Sequence, residues 1–155
     1  VLCHALRRVV HFPCSEHPTA AWTAQQVIEA FPWDEAPKYM IRDRDSIYSG
    51  DFRQRIKSMG IEQVPIAFRS PWQSPYVERL IGSIRRECLD HMIVLNEAHL
   101  MRILKSYFAY YHESRPHLSL DRNAPTPREI EPPEWGDVMS LAQVGGLHHR
   151  YARAA

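Results

Sequence analysis

The stretch SPWQSPYVERLIGSIRRECLD, residues 70–90, passes from a loop of turn formers into a long helix. Serine and proline at positions 70, 71, 74 and 75 favour turns. From Pro75 to about Asp90, Val77, Leu80, Ile81, Ile84 and Cys88 recur at spacings of three and four, which predicts one buried helical stripe. Glu78 stands in the first turns, where a carboxylate can serve the helix dipole. It cannot complete a capping box with Ser74, because the box needs Glu or Gln at the position held by Val77. Gly82 is costly in mid-helix, by about 1 kcal/mol relative to Ala. It shares a face with Glu78 and Arg85, since four residues advance a helix by about 40° and seven bring it back within about 20°. Two accounts of Gly82 stand side by side: a gap through which a phosphate backbone passes between Glu78 and Arg85, or close helix packing. Arg79, Arg85 and Arg86 add local positive charge, and Arg69 leads into the loop. For Arg86 a solvated helix face is the simpler reading.

Upstream, residues 61–68 alternate Val64, Ile66 and Phe68 and read as a strand, with Pro65 favouring a sheet edge. Residues 49–59 read as a helix closed by Gly60. Before it, Tyr39-Met40-Ile41 is a short strand delivering Arg42-Asp43-Arg44-Asp45-Ser46 at its C-terminal end. Residues 20–31 are predicted helical, with Ala20, Ala24, Val27, Ile28 and Phe31 on one stripe and Pro32 as its stop. Residues 1–6 and 8–14 read as strands, the second ended by Pro13.

Downstream, Asn96 is a plausible N-cap for a helix whose Leu100, Ile103, Leu104, Tyr107, Phe108 and Tyr111 trace one apolar face. That face serves the chain's own core or, alternatively, a partner. Prolines at 125, 127, 132 and 133 then make a meandering tail, with a terminal strand expected near 145–151. The order of elements indicates an α/β layered domain over residues 1–120 with a partly parallel sheet, and a Pro-rich tail over 121–155.

With 155 residues and 45% hydrophobic side chains, the chain can form one domain with a real core. The net charge of +1 gives no global sign of nucleic-acid binding, so DNA contacts have to come from local basic patches. Cys3, Cys14 and Cys88 offer no CxxC pair, which fits a reducing, cytoplasmic setting. No apolar run approaches the ~20 residues that cross a bilayer. Adjacent His148 and His149 point to opposite faces on a strand, so they make a poor zinc pair, and Cys88 belongs to an apolar stripe rather than to a nucleophile's setting.

Asp43 follows a strand and Glu78 opens a helix, with a further strand between them. Groups just outside C-terminal strand ends are where ligands collect in α/β sheets. Two converging carboxylates suit Mg²⁺, which takes oxygen ligands and keeps several waters. A third acid would allow a two-metal clamp on an in-line phosphoryl transfer. The plainer alternatives are turn chemistry for Asp43 and a dipole role for Glu78.

Taken together, Ile41-Arg42-Asp43-Arg44-Asp45-Ser46-Ile47-Tyr48, residues 70–90 and Tyr110-Tyr111-His112-Glu113-Ser114-Arg115-Pro116-His117 resemble the integrase core of bacterial insertion-sequence transposases. The resemblance covers most of residues 1 to about 130. It implies a ribonuclease-H-like mixed sheet flanked by helices, and an Asp, Asp, Glu triad using Mg²⁺ or Mn²⁺ to hydrolyse and join DNA strands. By position, Asp43 is the second acid and Glu78 the third, both catalytic and metal-binding. Arg85 falls where relatives contact DNA, the loop 70–75 corresponds to a mobile active-site loop with Trp72 and Gln73 as DNA contacts, and Arg79 and Arg69 join them as DNA-facing cations. A homo-oligomer is implied for the full-length protein.

The sequence departs from that pattern in three places. Asp45 stands where relatives often have Gly, and Ser74 where they often have Asn. The first Asp of the triad is expected on a first strand lying before Val1, so the domain reads as N-terminally truncated; of the upstream acids Glu16, Glu29, Asp34 and Glu35, Glu16 follows a strand, but its surroundings do not resemble the motif of the first acid. Weak metal binding and poor catalysis are therefore expected of the chain alone. The alternative is a non-catalytic transposase remnant that binds DNA or a partner subunit.

Overall fold

The computed structural model describes residues 1–32 and 36–154. The chain divides into two compact units, one comprising Val1–Leu2 and Val10–Leu80, the other Cys3–Val9 and Ile81–Ala155. The described strands form three two-stranded sheets, so the continuous mixed sheet expected from the sequence is absent among these residues. The first sheet joins β1 (Leu2–Cys3) and β2 (Arg8–Val9). Both are far shorter than the strands expected over residues 1–6 and 8–14. The reason is local: residues 4–7 form a turn in which Arg7 takes a φ of 55°, so little backbone is left to pair.

In the first unit, α1 (Ala20–Ala30) starts where the Thr19 hydroxyl accepts from the Trp22 N–H at 3.2 Å. It buries Ala24, Val27 and Ala30. Next, β3 (Tyr39–Arg42), α2 (Gly50–Ser58) and β4 (Glu62–Pro65) make a βαβ unit whose strands pair in parallel, Tyr39 opposite Glu62 through Arg42 opposite Pro65. Ala24, Val27, Phe52, Ile56 and Ile61 form the core, and Tyr48 packs its ring edge-on to Phe52 at 4.9 Å. Gly60, at a φ of +74°, turns the chain from α2 into β4, a conformation that costs a side-chain-bearing residue more.

β4 stops well short of Phe68. Pro65 has no N–H to give to a ladder, one further bond runs from Ile66 N–H to the Arg42 carbonyl at 2.9 Å, and the chain then leaves the sheet. α3 (Pro75–Glu87) follows, and the division between the units falls within it. Leu80 and Cys88 are buried as expected, whereas Ile81 is 47% exposed and Ser83 takes a buried place. Ile81 sits one residue, about 100°, round the helix from Leu80, which carries it off the buried face.

In the second unit, α4 (Glu97–Glu113) begins at Asn96, whose side-chain oxygen accepts from the His99 N–H at 2.8 Å. Ile103, Leu104, Tyr107, Phe108 and Tyr111 are buried, with Tyr107 fully enclosed. The apolar face of α4 is therefore core, which overturns its use as a partner surface. Within the segment expected as tail, β5 (Asp137–Gln143) and β6 (His148–Ala154) pair antiparallel, Asp137 opposite Ala154 through Gln143 opposite His148.

Candidate metal and nucleic-acid site

Asp43 comes directly after β3 and is exposed. One of its carboxylate oxygens accepts from the Asp45 N–H at 3.1 Å, and Asp45 accepts from the Ile47 N–H at 3.0 Å and from the Ser46 hydroxyl at 3.3 Å. The turn chemistry considered for Asp43 is thus present. Asp45, at a position often Gly in relatives, is accommodated as the cap of the short 3₁₀ turn Ser46–Tyr48. Around this turn the arginines are tied to the parallel pair. Arg42 Nε donates to Gln63 Oε1 at 3.0 Å and Nη1 to the Asp43 carbonyl at 2.9 Å, while its guanidinium lies 5.5 Å from the Tyr48 ring centre. Burial, and next the neighbouring Arg53 cation, pull Arg42 below the ordinary guanidinium value. Arg44 Nε donates to the Ile66 carbonyl at 2.8 Å.

Because β3 and β4 are parallel, the Asp43 turn and the loop that follows β4 leave the same strand end, side by side at Arg42 and Ile66. That loop leads directly to Glu78. Its closure uses Gln73, whose Oε1 accepts from the Ala67 N–H at 2.7 Å, and Ser70, whose buried hydroxyl donates to the Phe68 carbonyl at 3.2 Å. Gln73, expected as a DNA contact, therefore spends its carbonyl oxygen on the loop itself. Trp72 projects with 71% of its surface exposed and Phe68 with 74%. Arg69, at a φ of 53°, sits 5.2 Å from the Phe68 ring centre. Alternation with Val64 and Ile66 assigns Phe68 to a strand, and the signal against its pairing there is Pro65.

Glu78 lies exposed in the first turn of α3, its N–H bonded to the Ser74 carbonyl at 3.2 Å. Arg79 and Arg85 are exposed as well. Close packing against another helix does not explain Gly82. A Cβ built on it would meet Arg86 Nη1 at 2.8 Å and Nη2 at 3.3 Å, so the space is filled by the guanidinium one turn on in the same helix. Among the described residues no group of three or more His, Cys, Asp or Glu is arranged to hold a metal ion. Asp34 and Glu35 lie outside the described residues.

The segment 110–117 has a structural explanation in the second unit. Arg115 Nε donates to Glu87 Oε2 at 2.8 Å and Nη2 to Oε1 at 2.7 Å, and the Tyr107 hydroxyl donates to the same Oε2 at 2.9 Å. Burial raises the Glu87 carboxyl, yet the hydrogen bonds from Arg115 and Tyr107 outweigh it and hold the group below the usual carboxylate value. His148 reaches the Glu87 carbonyl at 2.7 Å and stacks on Tyr110 with ring centres 4.3 Å apart. His112 Nε2 accepts from the Val9 N–H at 3.0 Å. Glu87 carried no signal of its own in the sequence, because its partner lies 28 positions away.

Residues 59–125 match the family described as Integrase core domain, and over that segment the resemblance read from the sequence is borne out. No curated protein matches the chain. The fold is similar to a chain in the cryo-EM structure of simian T-cell lymphotropic virus intasome in complex with PP2A regulatory subunit B56 gamma, with a TM-score of 0.55 and 16% identity over 88% of this chain. At that identity the likeness is one of fold. The present chain spans about half of that one, 53% of its length. Among the described residues no helix is long and apolar enough to cross a membrane.

Proposed function

We propose that the chain forms part of the catalytic core of a transposase or integrase that cuts and joins DNA strands, built on a ribonuclease-H-like plan, with Asp43 as the second and Glu78 as the third of three acids. The supporting observation is the shared exit of the Asp43 turn and the Glu78-bearing loop from one end of a parallel strand pair, in a chain whose residues 59–125 match an integrase core. Two exposed carboxylates form a hard oxygen donor set, which fits Mg²⁺ or Mn²⁺. When bound, such an ion lowers the pKa of an attacking water and stabilises charge on the phosphoryl oxygens. Asp43 and Glu78 would hold it. Arg69, Arg79 and Arg85 neutralise phosphates, and Trp72 with Phe68 presents faces on which bases can stack. The assembly is proposed to be a homo-oligomer on DNA.

Mn²⁺ titration followed by NMR tests the assignment. Paramagnetic broadening is expected first at Asp43 and Glu78, and Asp43→Asn or Glu78→Gln should abolish its focus there. Supercoiled plasmid should be nicked slowly with Mn²⁺, and at least about a hundredfold more slowly by Glu78→Gln. Broadening centred elsewhere, or nicking indifferent to Glu78→Gln, overturns the roles given to these acids. Oligonucleotide binding without nicking would instead favour the non-catalytic reading, which the exposed Phe68 and Trp72 also suit.

A further inference from the structure

The first unit contains a cleft of about 340 Å³ into which Arg42, Arg44 and Arg53 converge, with Ser46, Tyr48 and Ser49 supplying hydroxyls. Three guanidinium groups around one space repel one another, and among the described residues none of the three forms an ion pair with a carboxylate. The acid on the cleft wall, Asp45, spends Oδ1 on the Ile47 N–H and the Ser46 hydroxyl. Arg42 and Arg44 use their Nε atoms to hold the strand pair, to Gln63 and Ile66, and Arg44 keeps both terminal nitrogens for another partner. Ser49 adds to this: as N-cap of the nine-residue α2 it makes no side-chain cap bond, so the first-turn amides also lack that partner. The acid of that turn, Asp51, lines a different cleft with Ala21 and Gln54.

We propose that Arg42, Arg44 and Arg53 form a phosphate-binding cleft that seats a backbone phosphodiester of DNA beside the Asp43 turn. Guanidinium forks match tetrahedral phosphate oxygens through paired, charge-assisted hydrogen bonds, and hydroxyls with free helix amides complete such a site. Arg44 and Arg53 are exposed, so a strand can lie across the cleft without rearrangement of the core. The proposal rests on the reading of the chain as one that acts on DNA. It adds a contact separate from the 69–85 segment.

Two measurements test it. In ¹H–¹⁵N spectra, inorganic phosphate should shift the Ser49 and Gly50 amides and the Arg53 Nε signal saturably, and Arg53→Gln should remove the effect. For a labelled duplex oligonucleotide followed by anisotropy over a salt series, Arg44→Gln/Arg53→Gln should bind about tenfold more weakly, with a log–log salt slope shallower by about 2. Arg53→Gln alone, with a slope change of about 1, serves should loss of the Arg44 bond to Ile66 lower stability. Phosphate without saturable shifts, or slopes equal to wild type, overturns the cleft while leaving DNA binding itself in place. An equal slope change in the α4 control Arg102→Gln/Lys105→Gln also overturns it, because any surface cation would then suffice. If phosphate saturates the cleft but the wild-type chain binds no duplex, the DNA reading fails and the phosphodiester assignment falls with it.

Discussion

Arg115 grips Glu87 through two parallel hydrogen bonds, 2.8 Å from Nε and 2.7 Å from Nη2, with the Tyr107 hydroxyl closing on the same carboxylate at 2.9 Å. About a quarter of each charged side chain still meets water, 23% for Arg115 and 25% for Glu87, so the pair is worth less than a fully buried one. Arg115→Ala should cost about 2 kcal/mol in urea unfolding. Arg115→Lys should recover little, because an ammonium cannot make the planar two-point contact. Equal stabilities for the Lys variant and wild type would show that charge alone matters.

Acid should release this network. Glu87 is held below its usual value of 4.5, so its contribution to stability is complete above that pH and drains away as pH falls through the folded value. Glu87→Gln should therefore flatten the acid limb of a stability profile measured below about pH 4.5 by denaturant unfolding.

His112 has the same sign by a different route. Burial, then the nearby Arg8 and His117 charges, lower it from the usual 6.5, and its neutral ring accepts from the Val9 N–H. The stability it contributes is full above pH 6.5 and is lost as pH falls through the folded value. A His112→Gln variant should show a shallower decline in melting temperature between about pH 6.5 and 5 than wild type.

Gly82→Ala should stabilise the chain by up to about 1 kcal/mol. The atoms that a new Cβ would meet are the far end of Arg86, which can swing into solvent. Chemical denaturation gives the stability, and undiminished duplex binding in the same variant would remove the phosphate-gap account of this glycine.

Phe68→Ala and Trp72→Ala should leave the melting temperature almost unchanged, since both rings are mostly exposed. Each should weaken single-strand oligonucleotide binding by about 1–3 kcal/mol if a base stacks on the ring. Anisotropy titrations decide it, and unaltered affinity in both would remove the loop from the nucleic-acid surface.

Elements with a strong period were legible in the sequence. Both α1 and α4 lie where the stripes ending at Phe31 and Tyr111 put them, and Thr19 and Asn96 cap them. Strand lengths were not legible, because alternation through Phe68 says nothing of whether a neighbouring strand is present to pair with it. Of the β5–β6 hairpin only the terminal strand was expected, for a related reason: its turn at Val144–Gly146 needs three successive positive φ values, one of them at a valine. At the candidate site, the settings of Asp43 after a strand and of Glu78 in the first turn of a helix were legible. The arginine cleft could not, since it gathers Arg53 from a helix that carried no distinguishing pattern.

The β3–β4 pair is only four residues long on each strand, and a short two-stranded ladder is poorly protected against sliding. A slip of one residue turns every side chain to the opposite side of its strand. Asp43, immediately beyond the last rung, would be redirected with them. Arg42 on Gln63 and Arg44 on the Ile66 carbonyl act as pins at that end of the ladder. The alignment of a carboxylate here thus depends on the two cations flanking it in the chain, which keep two strands in step.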